Sequence, residues 1–290
     1  MQGCSTKPEV KVLGLGDRSA AQLSELDKSK YSITYDLASN ISIAAEKLRA
    51  AAYQVVLIDL SERNLDEIGV IEELRSIRPD VDVIVLVEES TPQHVIDAIR
   101  AHAFSYFSEP IDNAALRDMI LSAAAVDEPS DAIQLMSGSV NYLSLQIRCS
   151  LFTVDRLVQF MKEIPIDLSE EERNEVAMAF REMLLNGIEH GGKLNPDEWV
   201  RVSRIRTNRT LVYHILDPGQ GFSRDQLDHA AVGHPDDPTA HVASREESGI
   251  RPGGFGMLIT SKLVDEVIYN QQGNEVVLIK YLAQQSVSSS

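Results

Sequence analysis

The first part of the chain alternates continuous apolar runs with stretches whose apolar residues recur every three or four positions. VKVLGL (Val10–Leu15), VVLIDL (Val55–Leu60) and VDVIVLV (Val81–Val87) read as buried strands. YSITYDLA (Tyr31–Ala38) and the short FSYF (Phe104–Phe107) supply two more. Helical spacing begins near Ser19 and recurs over Ile41–Ala52, Asp66–Ile77, Pro92–His102 and Asn113–Ala125. Buried strands separated by amphipathic helices predict a parallel sheet covered on both faces. Five such β/α units fit a flavodoxin-like doubly wound order.

The pattern then changes. VDEPSDAIQLMSGS (Val126–Ser139) mixes Pro, Ser, Gly and acids with little periodicity. It predicts a linker over 127–139, between a first domain at 8–126 and a second at 140–282. In the second domain Tyr142–Cys149, Trp199–Arg206 and Thr210–Asp217 alternate as strands, and Val154–Ile164 is an amphipathic helix. Ser169 followed by Glu172 forms a capping box that opens a long helix, SEEERNEVAMAFREMLLNGIEHGG, Ser169–Gly192. Val176, Ala179, Phe180, Met183, Leu184 and Ile188 form its apolar stripe. Glu182 and Asn186 share the other stripe, with Glu189 and His190 in the last turn. A polar stretch at 223–252 precedes a helix, MLITSKLVD, and two strands around the turn QQGN. The tail, 283–290, reads as disordered. A mixed, largely antiparallel sheet under a helical layer predicts an α/β sandwich.

The length of 290 residues agrees with two domains, and 43% hydrophobic residues let each bury a core. A net charge of −17 argues against direct nucleic-acid or anionic-membrane binding. It leaves room for a nucleotide site, which needs only local donors. The cysteines, Cys4 and Cys149, read as a reduced pair. No run is long enough for a membrane span and no secretory signal is evident, so a cytoplasmic protein is expected.

Two glycine turns follow the long helix: DPGQGF (Asp217–Phe222) and RPGGFGM (Arg251–Met257). Asn186 offers a hard carbonyl oxygen suited to Mg²⁺. Gly219 and Gly221 would let backbone approach a base, and Gly253, Gly254 and Gly256 precede a helix whose N–H groups can bind phosphate. Arg251, or else Arg245 or Lys193, could pair with a γ-phosphate. His229, His234 and His241 with Asp228, Asp236 and Asp237 match no zinc spacing.

The ordered set EMLLNGIEHGG, DPGQGF and GGFGM resembles the GHKL-type ATP-binding fold of gyrase, histidine kinases and MutL over about Tyr142–Leu282. Within that group the helix is most similar to the anti-sigma-factor serine kinases. The resemblance implies that ATP and Mg²⁺ are cofactors, that Asp217 accepts from the adenine amino group, and that Glu182 is a general base. It places His190 near the lid and phosphates, although capping of the helix end would also explain that residue. It further implies a protein partner, an anti-anti-sigma antagonist or a sigma factor, and allows a homodimer. Serine or threonine phosphorylation, a non-catalytic ATP-gated partner switch and a histidine-kinase-like activity in trans all stay open. The linker contains no histidine, so self-phosphorylation of the histidine-kinase kind is not expected.

The first domain resembles the receiver domain of bacterial response regulators over Val10–Ala125, through VVLIDL and FSYFSEPID. That resemblance makes Asp59 the candidate phosphoacceptor. The family's acidic pair is Gly16-Asp17 here, its hydroxyl position is Val87, and its lysine is Glu109 before Pro110. These departures argue for a degenerate receiver in a two-component-type signalling protein. Asp59 would then be a leftover acid, an atypical acceptor or a metal site without chemistry.

Overall fold

The computed structural model describes residues 10–26, 33–61, 67–125, 131–221 and 256–283. The chain divides into two compact units, with the break between Asp131 and Ala132.

The first unit holds a five-stranded sheet in the order β2-β1-β3-β4-β5, built from β1 (Val10–Leu15), β2 (Ile33–Ala38), β3 (Val55–Asp59), β4 (Asp82–Val87) and β5 (Ser105–Ser108). Every pairing is parallel, and the order is the expected flavodoxin-like one. The central strands β3 and β4 are buried almost throughout, whereas the edge strand β2 alternates with exposed residues. That contrast follows from helices covering both faces of the central strands. The helices are α1 (Asp17–Leu26), α2 (Ile41–Ala50), α3 (Glu67–Ile77), α4 (Pro92–Arg100) and α5 (Asn113–Ala125). Asn40 caps α2 and Thr91 caps α4, each accepting from a backbone N–H in the first turn. One core joins Val12, Leu57, Ile84 and Phe107 of the sheet to Leu23 of α1 and Leu116 and Ile120 of α5.

The second unit holds a six-stranded sheet in the order β10-β11-β9-β8-β7-β6. Its strands are β6 (Ile133–Ser139), β7 (Tyr142–Arg148), β8 (Trp199–Arg206), β9 (Thr210–Leu216), β10 (Glu266–Tyr269) and β11 (Glu275–Tyr281). All its pairings are antiparallel rather than mixed. Most of the stretch expected as linker is the edge strand β6, which forms a hairpin with β7. Its Ile133 and Leu135 stand opposite Ile147 and Leu145. Pairing with β7 sets this strand, since Ile133 is its one buried residue, and its small polar residues mask the period in the sequence.

Helices α6 (Leu151–Glu163), α7 (Glu170–Asn186) and α8 (Gly256–Leu263) complete this unit. The predicted apolar stripe of α7 is buried, and Phe180 lies with its ring centroid 4.5 Å from that of Tyr213 on β9. Met183 accepts a hydrogen bond from the Tyr269 hydroxyl on β10 at 3.3 Å. Among the described residues no helix is long and apolar enough to cross a membrane. Cys149 is a buried free thiol, pushed up to about 11 by burial and by the carboxylates of Glu198 and Asp217.

Candidate functional site

Helix α7 starts with the capping box expected from Ser169 and Glu172, with both reciprocal bonds present. Its end differs from expectation. The α-helix stops at Asn186 and Gly187–Gly191 form one π-helical turn, closed by the Gly192 N–H donating to the Gly187 carbonyl at 2.8 Å. A π turn carries one extra residue and often marks a functional site. Beyond its cap, Gly192, follow two non-glycine residues with left-handed backbone, Lys193 and Leu194, both at φ 54°.

Asp217 follows β9 directly and lies against this turn. A Cβ on Gly191 would overlap the Asp217 carboxylate, and one on Gly219 would come within 2.7 Å of the Gly191 Cα. Glycine at both positions is therefore a packing requirement. The Gly219 N–H donates to Asp217 Oδ1 at 2.8 Å. Burial pushes the Asp217 carboxyl above its ordinary value of 3.8, partly opposed by the Gly219 N–H and by His190. His190 thus acts electrostatically on the carboxylate while its own side chain is exposed.

The first glycine turn is held from the other side by the loop between β10 and β11. Gly221 has φ 76°, and a side chain there would overlap the Gln272 carbonyl. The Asp217 N–H donates to the Asn274 carbonyl at 3.0 Å, and the Asn274 carboxamide N–H approaches the Gly219 carbonyl at 3.4 Å. Asn270 in turn accepts from the Gly273 N–H at 2.7 Å. Asn270 and Asn274 are site-supporting residues that the sequence reading passed over; their four-residue spacing across a glycine turn was the available signal.

The second glycine turn is represented by Gly256, the first residue of α8. A Cβ there would lie 3.0 Å from Glu182 Oε2 and 3.6 Å from Asn186 Nδ2. Glu182 and Asn186, which share one stripe of α7 by their four-residue spacing, therefore both lie near the N-terminus of α8. The Glu182 side chain is 31% exposed, and Arg181 Nη1 stands 4.0 Å from its Oε1. Asn186 makes no capping hydrogen bond. Glu182, Asn186 and Gly256 form one group, and Asp217, Gly219, Gly221 and His190 another, joined by the π turn. Lys193 is exposed just beyond that turn. Arg245, Arg251, Gly253 and Gly254 lie outside the described residues, as do the lid histidines and aspartates, Cys4 and the tail beyond 283.

In the first unit Asp59 is buried at the carboxyl end of β3, where ligands bind in open parallel sheets. Its oxygens accept from the Ser61 N–H at 3.0 Å and the Arg18 N–H at 2.9 Å. The Glu109-Pro110 bond is cis. Among the described residues no cluster of three or more His, Cys, Asp or Glu side chains is arranged to hold a metal.

Comparison with known proteins gives the same division. Residues 19–121 match the response regulator receiver domain, and residues 150–280 match the histidine kinase-like ATPase domain. Over 76 residues the chain is 28% identical to transcriptional regulatory protein ZraR of Klebsiella oxytoca, covering 26% of this chain and 17% of that protein's length. Over 121 residues it is 25% identical to serine-protein kinase RsbW of Oceanobacillus iheyensis, covering 41% of this chain and 72% of that protein. Among solved structures, a CheY-like receiver domain protein from Methanospirillum hungatei aligns at 16% identity and a TM-score of 0.36, covering 40% of this chain and 94% of that one. A Francisella receiver domain aligns at 21% identity and a TM-score of 0.36, covering 40% and 97%. The chain is a signal-transduction protein that joins a response regulator receiver domain to a histidine kinase-like ATPase domain.

Proposed function

We propose that the second domain binds Mg–ATP and passes its γ-phosphoryl group to a serine or threonine of a partner protein in the cytoplasm. One observation carries the reading: Glu182 and Asn186 stand together against Gly256 at the start of α8. A helix N-terminus offers unpaired N–H groups to phosphate. Asn186 sits one turn from Glu182 with a carboxamide oxygen suited to Mg²⁺, and these residues would hold the ion. Bound there, the ion would neutralise phosphate charge.

Asp217 would accept from the adenine amino group, and Gly219 and Gly221 would let the backbone approach the base. The kinship with serine-protein kinase RsbW supports a hydroxyl acceptor. Glu182 takes the proton from that hydroxyl as its oxygen attacks the γ-phosphorus; the bond to the bridging β–γ oxygen breaks and ADP leaves. By the same kinship the partner is an antagonist of the anti-anti-sigma kind or a sigma factor. The receiver-like domain docks or regulates the kinase.

In a second reading Glu182 only orients Asn186, which shares its stripe of α7 and faces the same Gly256, while the nearby Arg181 is bonded to Asp155 at 2.9 Å. The domain would then be an ATP-gated binding module. Glu182→Ala separates the two. A kinase keeps ATP affinity in that variant and loses ~10²- to 10⁴-fold in transfer to phosphoserine or phosphothreonine. If the wild-type protein transfers no label from γ-labelled ATP to any partner, while partner control by ATP survives Glu182→Ala, the kinase reading is wrong. Label recovered on a partner histidine would instead indicate a histidine-kinase-like activity in trans.

A further inference from the structure

Receiver domains hold a divalent cation at the carboxylates around the strand-end aspartate, and the residues present here do not fit one. The charge that faces Asp59 belongs to Arg18. Its backbone N–H donates to Asp59 Oδ2 at 2.9 Å, and its Nε stands 3.8 Å from Asp59 Oδ1. Its Nη1 donates to the Val87 carbonyl at 3.0 Å and lies 3.4 Å from Glu109 Oε1. The guanidinium is largely buried, 19% exposed, as is the Asp59 side chain at 5%.

The three departures from the receiver pattern, Gly16, Val87 and Glu109, all lie around this pair. Val87 supplies the carbonyl that orients the guanidinium. Glu109, an acid where the family has a lysine, supplies a second carboxylate for it. Gly16, at φ 92°, leaves no side chain to crowd Asp59, whose Cβ would be 2.8 Å from a Cβ at that position. The remaining acid of the pair, Asp17, is exposed. Relative to the family's pattern, a cation stands at the start of α1 rather than before Pro110, and an acid stands before Pro110 rather than at Gly16.

We propose that the Arg18 guanidinium is a built-in cation that replaces the divalent metal, so that the receiver-like domain is metal-independent and held in one arrangement by the Arg18, Asp59, Val87 and Glu109 contacts. The guanidinium is anchored by one hydrogen bond, Nη1 to the Val87 carbonyl, and faces Asp59 and Glu109 as a charge at ion-pair distance, its buried Nε having no hydrogen-bond partner. A dication entering beside it would meet a like charge in a partly desolvated pocket.

The test is titration of the full-length protein, without nucleotide, with Mn²⁺ while following the backbone amide resonances of Gly16, Leu60 and Ser61. In the wild type these signals should stay sharp into the millimolar range. Arg18→Ala should broaden them, with apparent Mn²⁺ affinity at least ~10-fold higher. Arg18→Lys keeps a cation and should behave like the wild type. Arg18→Gln fills more of the space and replaces Arg18→Ala if that variant does not fold, as judged from the dispersion of the amide spectrum. Broadening of the wild type at the same Mn²⁺ concentrations as the charge-removed variant would overturn the proposal. So would a folded charge-removed variant that stays sharp, or an Arg18→Lys protein that binds like Arg18→Ala.

Discussion

Asp217 illustrates how a half-buried carboxylate, which we propose as the adenine acceptor, carries a cost in stability. Burial disfavours its charged form, so it takes up a proton at higher pH than an ordinary aspartate. The native state is therefore penalised as pH rises through the ordinary value and then the raised one; the penalty is absent below the first and complete above the second. Asp217→Asn keeps an oxygen to accept from the Gly219 N–H and removes the half-buried charge. At neutral pH its melting temperature should equal or exceed the wild-type value, measured by calorimetry, and any gain should vanish in acid. Its ATP affinity should fall ~10- to 100-fold, the amount expected for losing a charge-assisted hydrogen bond. Wild-type affinity should also decline on acidification, beginning at higher pH than an unperturbed aspartate would give, and the variant should lack that limb. Gly191→Ala is predicted to act through the same carboxylate. The new methyl must displace Asp217 or the turn, so stability should drop by about 1–3 kcal/mol in denaturant titration and nucleotide affinity should fall with it.

Helix α7 shows which elements announce themselves. Ser169 and Glu172 are three apart at the start of a periodic apolar run, and capping chemistry is local, so the box could be read directly and is present. Ser169→Ala should cost ~1 kcal/mol of stability by denaturant titration, because it leaves an N–H of the first turn unpaired. The Glu182 and Asn186 stripe was legible for the same reason: helical spacing alone places them together. The π turn was not legible. Its Gly191 packs against Asp217, which arrives from β9, and nothing in the neighbouring sequence signals that contact. Strand β6 was missed because its stability comes from pairing with β7 rather than from its own composition. Arg18 was missed because its partners Asp59, Val87 and Glu109 come from three other strand ends. The sequence alone exposed the losses at Gly16, Val87 and Glu109, but not the residue that links them.

At the scale of the whole molecule, the sheet orders separate a parallel sheet with Asp59 at a strand end from an antiparallel sheet that carries α7. The two units should respond differently to phosphate-bearing small molecules. An acyl-phosphate donor with Mg²⁺ should leave Asp59 unmodified, as checked by intact mass, because the cation opposite it is already part of the fold. Mg–ATP should stabilise the second unit by ~2.7 kcal/mol at about a hundred times its dissociation constant, visible as a shift in one melting transition. The measurement that bears most directly on the whole account is equilibrium binding of ATP to the full-length protein, by calorimetric titration with and without Mg²⁺. The account predicts one ATP per chain, bound more tightly with Mg²⁺, with that Mg²⁺ dependence lost in Asn186→Ala and affinity strongly reduced in Asp217→Asn. A folded wild-type protein that binds no ATP, or binds it equally well with both residues replaced, would contradict it.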